Sequence, residues 1–214
     1  MRRLLPALML LGLAGSLAAQ NATSIAGRAS RVYRGLSSIR ASFRQTIEDR
    51  MIGTQESSGE LIQSGTANLV MRFEDPKGDA IVLDGTYVWV YTPSTTPGQV
   101  IRMTMPSDPV YGPNVLSRIL DKPNERYQVE YLREDTTEGR PMDVLEFTPR
   151  AEDPLFRQAV IWFDRVTSLP RRLELDEMTG VHRTLALSRI RTNTAVSAKE
   201  FRFEVPSGVR VVEQ

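Results

Sequence analysis

Few side chains in this sequence could perform nucleophilic or acid–base chemistry. The chain has one histidine, His182, and no cysteine, and it carries neither a G-x-S-x-G nucleophile motif nor a glycine-rich phosphate loop. His182 follows a Thr179-Gly180 turn beside Arg183, which is typical of an exposed strand end. We therefore predict that the protein is not an enzyme and has no catalytic residue, metal site or cofactor. We keep as an alternative hypothesis that the protein is an exported hydrolase that uses His182.

Carboxylates are more numerous, but their spacing favours a surface role. They alternate with arginines and apolar residues along the later predicted strands, at Asp143, Glu146, Glu174, Asp176 and Glu177. General acid–base work would need burial that shifts their pKa values, and the pattern does not indicate it. We interpret them as the solvent-facing side of a sheet.

The sequence is better equipped to bind hydrocarbon. Antiparallel sheets usually bury one face, so that their strands alternate apolar and polar residues. Residues 171–177 alternate in this way, whereas residues 69–73, 81–83, 87–91 and 160–163 are apolar on both sides. One face must therefore meet helices, another layer or a cavity. Two interpretations stay open: the first helix and the loops fill the sheet as an ordinary core, or an apolar cavity remains.

A ligand of such a cavity is expected to be apolar and flexible, because methionine side chains can adapt to a chain of variable shape. Each buried methylene contributes ~0.8 kcal/mol, so about ten of them give ~8 kcal/mol, which corresponds to micromolar, reversible binding. We predict that apolar residues of the first helix and the strands form the cavity wall. They are Ile25, Val32, Leu36, Phe43, Leu61, Leu69, Met71, Phe73, Ile81, Leu83, Val88, Trp89, Val90, Met103 and Met105.

The elements that position these residues are a helix followed by short strands. Apolar residues recur every three or four positions from Ala22 to about Ser42, which predicts an amphipathic helix. The downstream pattern predicts about 11 strands, the last over residues 201–205, and a loop over residues 106–113. A second, short helix is predicted from Asn114 to Asp121, with Asn114 as its N-cap. The pair Asp84-Gly85 predicts a hairpin turn that pairs Leu83 with Thr86.

Length, charge and the N-terminal residues predict one exported α+β domain. The chain has 214 residues, with Lys+Arg 27 and Asp+Glu 26, so it lacks the basic excess that nucleic-acid binding needs. Arg2-Arg3 precede an apolar run that ends in small residues up to Ala19, as in a secretory signal peptide. We predict a signal peptide over residues 1–18 and a single soluble domain over residues 19–214. No later apolar run approaches the ~20 residues of a membrane span.

Several short motifs occur in order along the chain. They are Leu36-Ser37-Ser38-Ile39-Arg40-Ala41-Ser42-Phe43-Arg44-Gln45, Gly59-Glu60-Leu61, Val82-Leu83-Asp84-Gly85 with Val88-Trp89-Val90-Tyr91, Leu145-Glu146-Phe147-Thr148-Pro149, residues 173–180, and residues 201–209. Together they resemble the periplasmic outer-membrane lipoprotein carrier family, LolA. The resemblance implies an incomplete, half-open antiparallel β-barrel, in the α+β class, with helices that cover its apolar concave face.

The resemblance also implies a function and partners. It implies a monomeric periplasmic chaperone that binds acylated lipoproteins, receives them from an inner-membrane lipoprotein-releasing transporter and delivers them to an outer-membrane acceptor. The alternative is a sensor or regulatory module of the same fold that binds lipid or lipoprotein without transfer. The sequence departs from the family at Gly65-Thr66, where members often carry an Arg-Pro pair whose arginine helps to make transfer one-way.

Overall fold

Helix α1, Leu13–Arg34, is the first element of the protein that the structure describes. The computed structural model describes residues 13–105 and 114–214, so the first 12 residues of the predicted signal peptide and the predicted loop at 106–113 lie outside the described residues. The helix ends before the predicted position near Ser42. The N–H of Gly35, a poor helix former, donates to the carbonyls of Arg31 and Val32, and a strand begins at Ser38. Among the described helices, none combines the length and apolarity needed to cross a bilayer.

One sheet of twelve strands follows the helix. The strands are β1 Ser38–Asp49, β2 Gly53–Ser64, β3 Asn68–Asp75, β4 Ala80–Asp84, β5 Tyr87–Tyr91, β6 Gln99–Thr104, β7 Tyr127–Thr137, β8 Arg140–Pro149, β9 Phe156–Asp164, β10 Pro170–Glu177, β11 His182–Thr192 and β12 Arg210–Glu213. Helices α2 (Val115–Ile119) and α3 (Pro123–Arg126) lie between β6 and β7 in the chain.

The order of the strands leaves the sheet open. It runs β12-β6-β5-β4-β3-β2-β1-β11-β10-β9-β8-β7, so the pairing of β1 with β11 joins an N-terminal half to a C-terminal half, and β12 and β7 stand at the two ends. All pairs are antiparallel except β12 with β6, which are parallel. The combination of this open sheet with few helices confirms the predicted α+β, half-open fold.

The β4–β5 hairpin forms two residues away from the predicted register. Leu83 pairs with Val88 instead of Thr86. The reason is the side chain of Asp84, whose Oδ1 accepts hydrogen bonds from the backbone N–H groups of Thr86 and Tyr87 at 2.8 and 2.7 Å and so places the turn after itself. A shift of two residues leaves each side chain on its original face of the sheet. The prediction was therefore wrong about the pairing, although Leu83 and Val88 lie on the same face in either register.

The two faces of the sheet have different covers. The inner face, which carries Leu83 and Val88, forms the main core together with residues of α1 and α2. The outer face of β2 to β6 carries a second cluster, which the C-terminal segment, residues 196–209, covers. In that segment Phe203 stacks on Trp89 with ring centroids 5.3 Å apart. The second cover explains why several strands are apolar on both sides.

The C-terminal segment itself differs from the prediction. Residues 201–205 do not form a strand; Ala198–Phe201 forms a 3-10 turn, with Ser197 and Glu200 as its capping box. Phe201 is 5% exposed within the outer-face cluster, so this part of the chain lies over the sheet and cannot extend its edge. The edge strand comes later, as β12.

Candidate functional site

A cavity of about 340 Å³ lies between the inner face and helices α1 and α2. Its wall draws on both halves of the sheet and on both helices. The lining residues are Tyr33, Ile39, Gln45, Leu61, Gln63, Leu69, Met71, Ile81, Leu83, Asn114, Val115, Leu116, Leu155, Phe156, Leu169, Pro170, Leu173, Leu175, Glu177, Arg183, Leu185, Leu187 and Ile190. Most are aliphatic, and the volume is in the range of ~300–1,000 Å³ that is usual for ligand sites. The cavity can therefore accommodate an apolar ligand.

Most of the residues predicted to form the cavity wall lie on the inner face. Those that line the cavity are Leu61, Leu69, Met71, Ile81 and Leu83. Those that pack in the surrounding inner-face core are Ile25, Leu36, Phe43, Phe73, Val88, Val90, Met103 and Met105. Their contact with a ligand stays a prediction.

The structure places two predicted residues elsewhere. Trp89 lies on the outer face, because it alternates with Val88 and Val90 along β5, and its Nε1 donates to Asp84 Oδ2 at 2.8 Å. Val32 is half-buried on α1 and belongs to neither the cavity wall nor the inner-face core.

Sequence reasoning missed the C-terminal half of the cavity. The missed apolar residues of β10 and β11 are Leu173, Leu175, Leu185, Leu187 and Ile190. Leu173 and Leu175 alternate cleanly with charged residues, which was a correct signal for one buried face. This alternation gave no information about which strand β11 pairs with. It pairs with β1, which also pairs with β2, so these residues and Leu61 belong to one continuous face.

One end of the cavity carries four polar side chains, which we call the inner polar cluster: Tyr33, Gln63, Asn114 and Ser117. The Tyr33 hydroxyl donates to Gln63 Oε1 at 2.7 Å, and Gln63 Nε2 donates to Ser117 Oγ at 3.3 Å. Asn114 Oδ1 accepts from the Ser117 backbone N–H at 3.2 Å, which confirms the predicted N-cap. Burial raises the pKa of the Tyr33 phenol above its ordinary value, so this group stays a neutral donor.

Three further polar residues line the cavity, the buried Gln45 and the partly exposed Arg183 and Glu177, and we call them the mouth cluster. Arg183 donates to Gln45 Oε1 at 3.0 Å and to Glu177 Oε1 at 2.7 Å. Leu155, which is 39% exposed, also lines the cavity. Gln45 pairs with Ser57, six residues before Gln63 along β2, so the two clusters are roughly 20 Å apart along the strands. The cavity is therefore apolar in the middle and polar at both ends.

Helix α2 is fixed over the cavity by buried polar contacts. Arg118 forms a 2.6 Å ion pair with Asp153, and the two side chains are only 1% and 6% exposed. On the other side, Ser30 Oγ of α1 donates to the Leu120 carbonyl at 2.7 Å. These contacts hold the cover of the cavity in one position relative to the sheet.

The residues considered for acid–base chemistry lie outside the cavity, except Glu177. His182 Nδ1 contacts Asp176 Oδ1 at 2.8 Å, with both side chains partly exposed. Asp143 differs from its predicted solvent-facing position: it is buried, and Arg165 Nε donates to it at 2.7 Å. Within residues 13–105 and 114–214, no three His, Cys, Asp or Glu residues are grouped as metal ligands would be.

Two curated relatives resemble nearly the whole chain. An outer-membrane lipoprotein carrier protein of Chromohalobacter salexigens is 28% identical over 207 residues, which is 94% of this chain and 93% of the relative. The protein of the same name from Hahella chejuensis is 26% identical over 217 residues, 93% of this chain and 96% of the relative.

Solved structures show the same fold at lower identity. An uncharacterized conserved protein of Thermus thermophilus matches with a TM-score of 0.58 and 14% identity, covering 91% of this chain and 100% of that one. MucB matches with a TM-score of 0.50 and 18% identity, over 86% of this chain and 63% of MucB. The sequence model of the family described as outer membrane lipoprotein carrier protein LolA matches residues 34–204, from the end of α1 to the C-terminal segment. The chain therefore belongs to the LolA family.

Proposed function

We propose that the protein is a periplasmic carrier that holds the acyl chains of lipoproteins in the cavity and moves them from the inner to the outer membrane. The observation that carries the proposal is the mainly aliphatic cavity of about 340 Å³ beneath α1 and α2, which residues 13–105 and 114–214 leave unfilled. Membership of the LolA family, and the names of the two relatives, support a lipoprotein as the cargo.

The cavity suits a ligand that must be released again. Its aliphatic wall provides the non-directional hydrophobic contribution of ~0.8 kcal/mol per buried methylene. Its few polar groups lie at the ends, in the inner polar cluster and the mouth cluster. A wall of this kind accepts acyl chains of different length and shape. We therefore expect micromolar rather than irreversible binding.

The proposal includes two partners, an inner-membrane transporter that supplies the lipoprotein and an outer-membrane acceptor that takes it. Gly65 and Thr66, which replace the family's common Arg-Pro pair, lie between β2 and β3. Gln63 Nε2 donates to the Gly65 carbonyl at 2.7 Å, so this turn adjoins the inner polar cluster. We propose that the direction of transfer does not depend on an arginine at this turn.

A solubilisation experiment tests the proposal. The purified protein is mixed with a triacylated lipopeptide, and complexes are separated by gel filtration and analysed by native mass spectrometry. We expect a soluble 1:1 complex, and none with the same peptide lacking its acyl chains. If the triacylated peptide stays aggregated in the presence of excess protein, the carrier function is wrong. A stable complex that releases no lipopeptide to outer-membrane vesicles would favour the sensor alternative.

A further inference from the structure

We propose that the protein docks on a lipid bilayer through the tip of the β1–β2 hairpin, Met51 and Ile52, which we call the hairpin tip. The tip enters the headgroup region and brings the cavity next to the acyl chains that it receives or releases. The role of docking in cargo exchange rests on the proposed function, whereas the binding of the tip to lipid does not.

The hairpin tip presents two adjacent apolar side chains to the solvent. Met51 is 94% exposed and Ile52 is 66% exposed, although both residue types are usually buried. A side chain with so few neighbours protrudes from the molecule. A fluid bilayer can surround such a protrusion on all sides, whereas a folded protein partner would need a pocket of matching shape. The protrusion therefore favours lipid as the partner.

The backbone of the hairpin tip is suited to a medium that contains little water. Asp49 Oδ1 accepts hydrogen bonds from the backbone N–H groups of Met51 at 2.7 Å and of Ile52 at 3.2 Å. Unpaired N–H groups would oppose entry into an apolar medium, and the hairpin itself satisfies these two. Arg50 is exposed next to Met51, and its long side chain can keep the guanidinium among the headgroups while the apolar residues lie deeper.

Two further exposed apolar residues lead from the hairpin tip to the cavity. Glu48 of β1 pairs with His182 of β11, so the tip lies beside the β10–β11 turn, which carries Met178, 44% exposed. The N–H of Met178 donates to the Leu155 carbonyl at 3.0 Å. Leu155 is the most exposed of the residues that line the cavity, at 39%. Apolar surface therefore continues from the tip through Met178 to the cavity wall.

The hairpin tip is also close to the mouth cluster. Gln45 of that cluster lies four residues before Asp49 on β1, which is roughly 13 Å along the strand. An acyl chain that leaves a bilayer at the tip would therefore cross little water before it reaches the cavity. Exposure of its methylenes to water is unfavourable, so docking at this position should make transfer faster.

The charges near the hairpin tip favour no particular lipid headgroup. Arg50 is positive, and Glu48 and Asp49 are negative, so the tip lacks the basic cluster that binds anionic lipid. Insertion of the apolar side chains should drive docking. Binding to neutral phosphatidylcholine should therefore occur and should persist at about 0.5 M NaCl, where charge interactions at the surface are screened.

A fluorescent label at the hairpin tip tests the proposal. The chain has no cysteine, so Ile52→Cys and, in a separate protein, Val166→Cys each provide one attachment site for an environment-sensitive dye. Val166 is the matched control, because it is 80% exposed and follows the end of β9 that is remote from Leu155. When phosphatidylcholine vesicles are added, the emission of the dye at position 52 should shift to shorter wavelength, and the emission at position 166 should not.

A second variant measures what the two side chains contribute without a dye. Met51→Ser combined with Ile52→Ser removes the apolar surface of the exposed turn. We expect its partition onto phosphatidylcholine vesicles, measured by flotation, to fall at least tenfold. Its affinity for triacylated lipopeptide in solution should stay unchanged, because neither residue lines the cavity. Val166→Ser should change neither quantity.

The same measurements distinguish a bilayer from other partners. A shift at position 52 that needs no vesicles and rises with protein concentration shows self-association, and a shift that needs vesicles containing membrane proteins shows a protein partner; each overturns the proposal. The absence of a shift, equal shifts at both positions, or unchanged partition of the double serine variant also overturns it. If position 52 responds to lipid but the unaltered protein binds no triacylated lipopeptide, the carrier function is wrong and the docking on lipid stands.

Discussion

Met71 is a cavity residue at which a charge should weaken binding without unfolding the protein. It is half-buried and lines the cavity from β3. In Met71→Lys the ammonium group would have to lose its hydration whenever an acyl chain enters. We expect the affinity for triacylated lipopeptide to fall at least tenfold, measured by gel filtration of the complex.

Met178→Lys is the matched control for this prediction. Met178 is 44% exposed and does not line the cavity, so the same change should leave binding unaltered. Equal loss of binding in both variants would show that net charge matters and the cavity does not.

The ion pair between Arg118 and Asp153 should contribute to the stability of the covered cavity. Arg118→Met leaves the Asp153 carboxylate buried without this partner, which typically costs about 3–5 kcal/mol. We expect the free energy of unfolding to fall by that amount in urea titrations. Lys122→Met removes the exposed 3.7 Å pair with Glu125 and should cost less than about 1 kcal/mol. Similar losses of unfolding free energy in the two variants would show that burial does not make the Arg118–Asp153 pair more important for stability than an exposed pair.

Among the elements, β2 and β3 depend on the absence of a side chain at Gly59. A Cβ at this position would collide with the backbone carbonyl of Arg72 on the paired strand, where the register shifts between Ser58 and Gly59. This is the physical reason for glycine in the Gly59-Glu60-Leu61 motif. We expect Gly59→Ala to lower the free energy of unfolding by about 3 kcal/mol.

The control for Gly59→Ala is Gly27→Ala in helix α1. There the nearest atoms to an added Cβ are 3.5 Å away, which is ordinary contact. Because alanine is the better helix former, this variant should gain about 0.5–1 kcal/mol. The unfolding temperatures of the two variants should therefore shift in opposite directions. Shifts in the same direction would contradict the explanation that the Arg72 carbonyl leaves no room for a side chain at position 59.

The C-terminal segment should contribute to the stability of the protein but not to lipopeptide binding. Phe201 is buried in the outer-face cluster, on the opposite side of the sheet from the cavity. We expect Phe201→Ala to cost about 3–5 kcal/mol while the protein that remains folded binds triacylated lipopeptide as before. Val205→Ala, at a residue that is 39% exposed, should change stability little. Loss of lipopeptide affinity in folded Phe201→Ala would mean that the two faces are coupled.

These elements also show what the sequence can and cannot predict. Local signals predicted the N-cap at Asn114 and the inner position of Leu83, because both depend on residues within one or two turns of the chain. The cover over Trp89 was missed, since it comes from residues more than 100 positions later. The apolar residues of 201–205 indicate burial, but the pattern does not distinguish a paired strand from a segment lying over a sheet.

At the scale of the whole molecule, the cavity also combines features that local sequence signals predict with features that depend on distant residues. Binary pattern identified Leu61, Leu69 and Ile81 on the inner face, because strand alternation is local. The inner polar cluster could not be predicted, since Tyr33 meets Gln63 and Ser117 only after α1 and α2 have packed on the sheet. An unfilled volume is a property of all the packed elements together, so the sequence pattern left both a filled core and a cavity open.

The most direct test of the account is to observe which side chains an acyl chain touches. Isoleucine methyl groups offer a built-in comparison: Ile39, Ile81 and Ile190 line the cavity, whereas Ile62 is buried in the outer-face cluster. Methyl NMR spectra would be recorded while triacylated lipopeptide is added to the protein. We predict shifts at the three lining residues, with Ile62 unchanged. Shifts confined to Ile62 or to the exposed Ile52, with the lining methyls unaffected, would contradict binding inside the cavity.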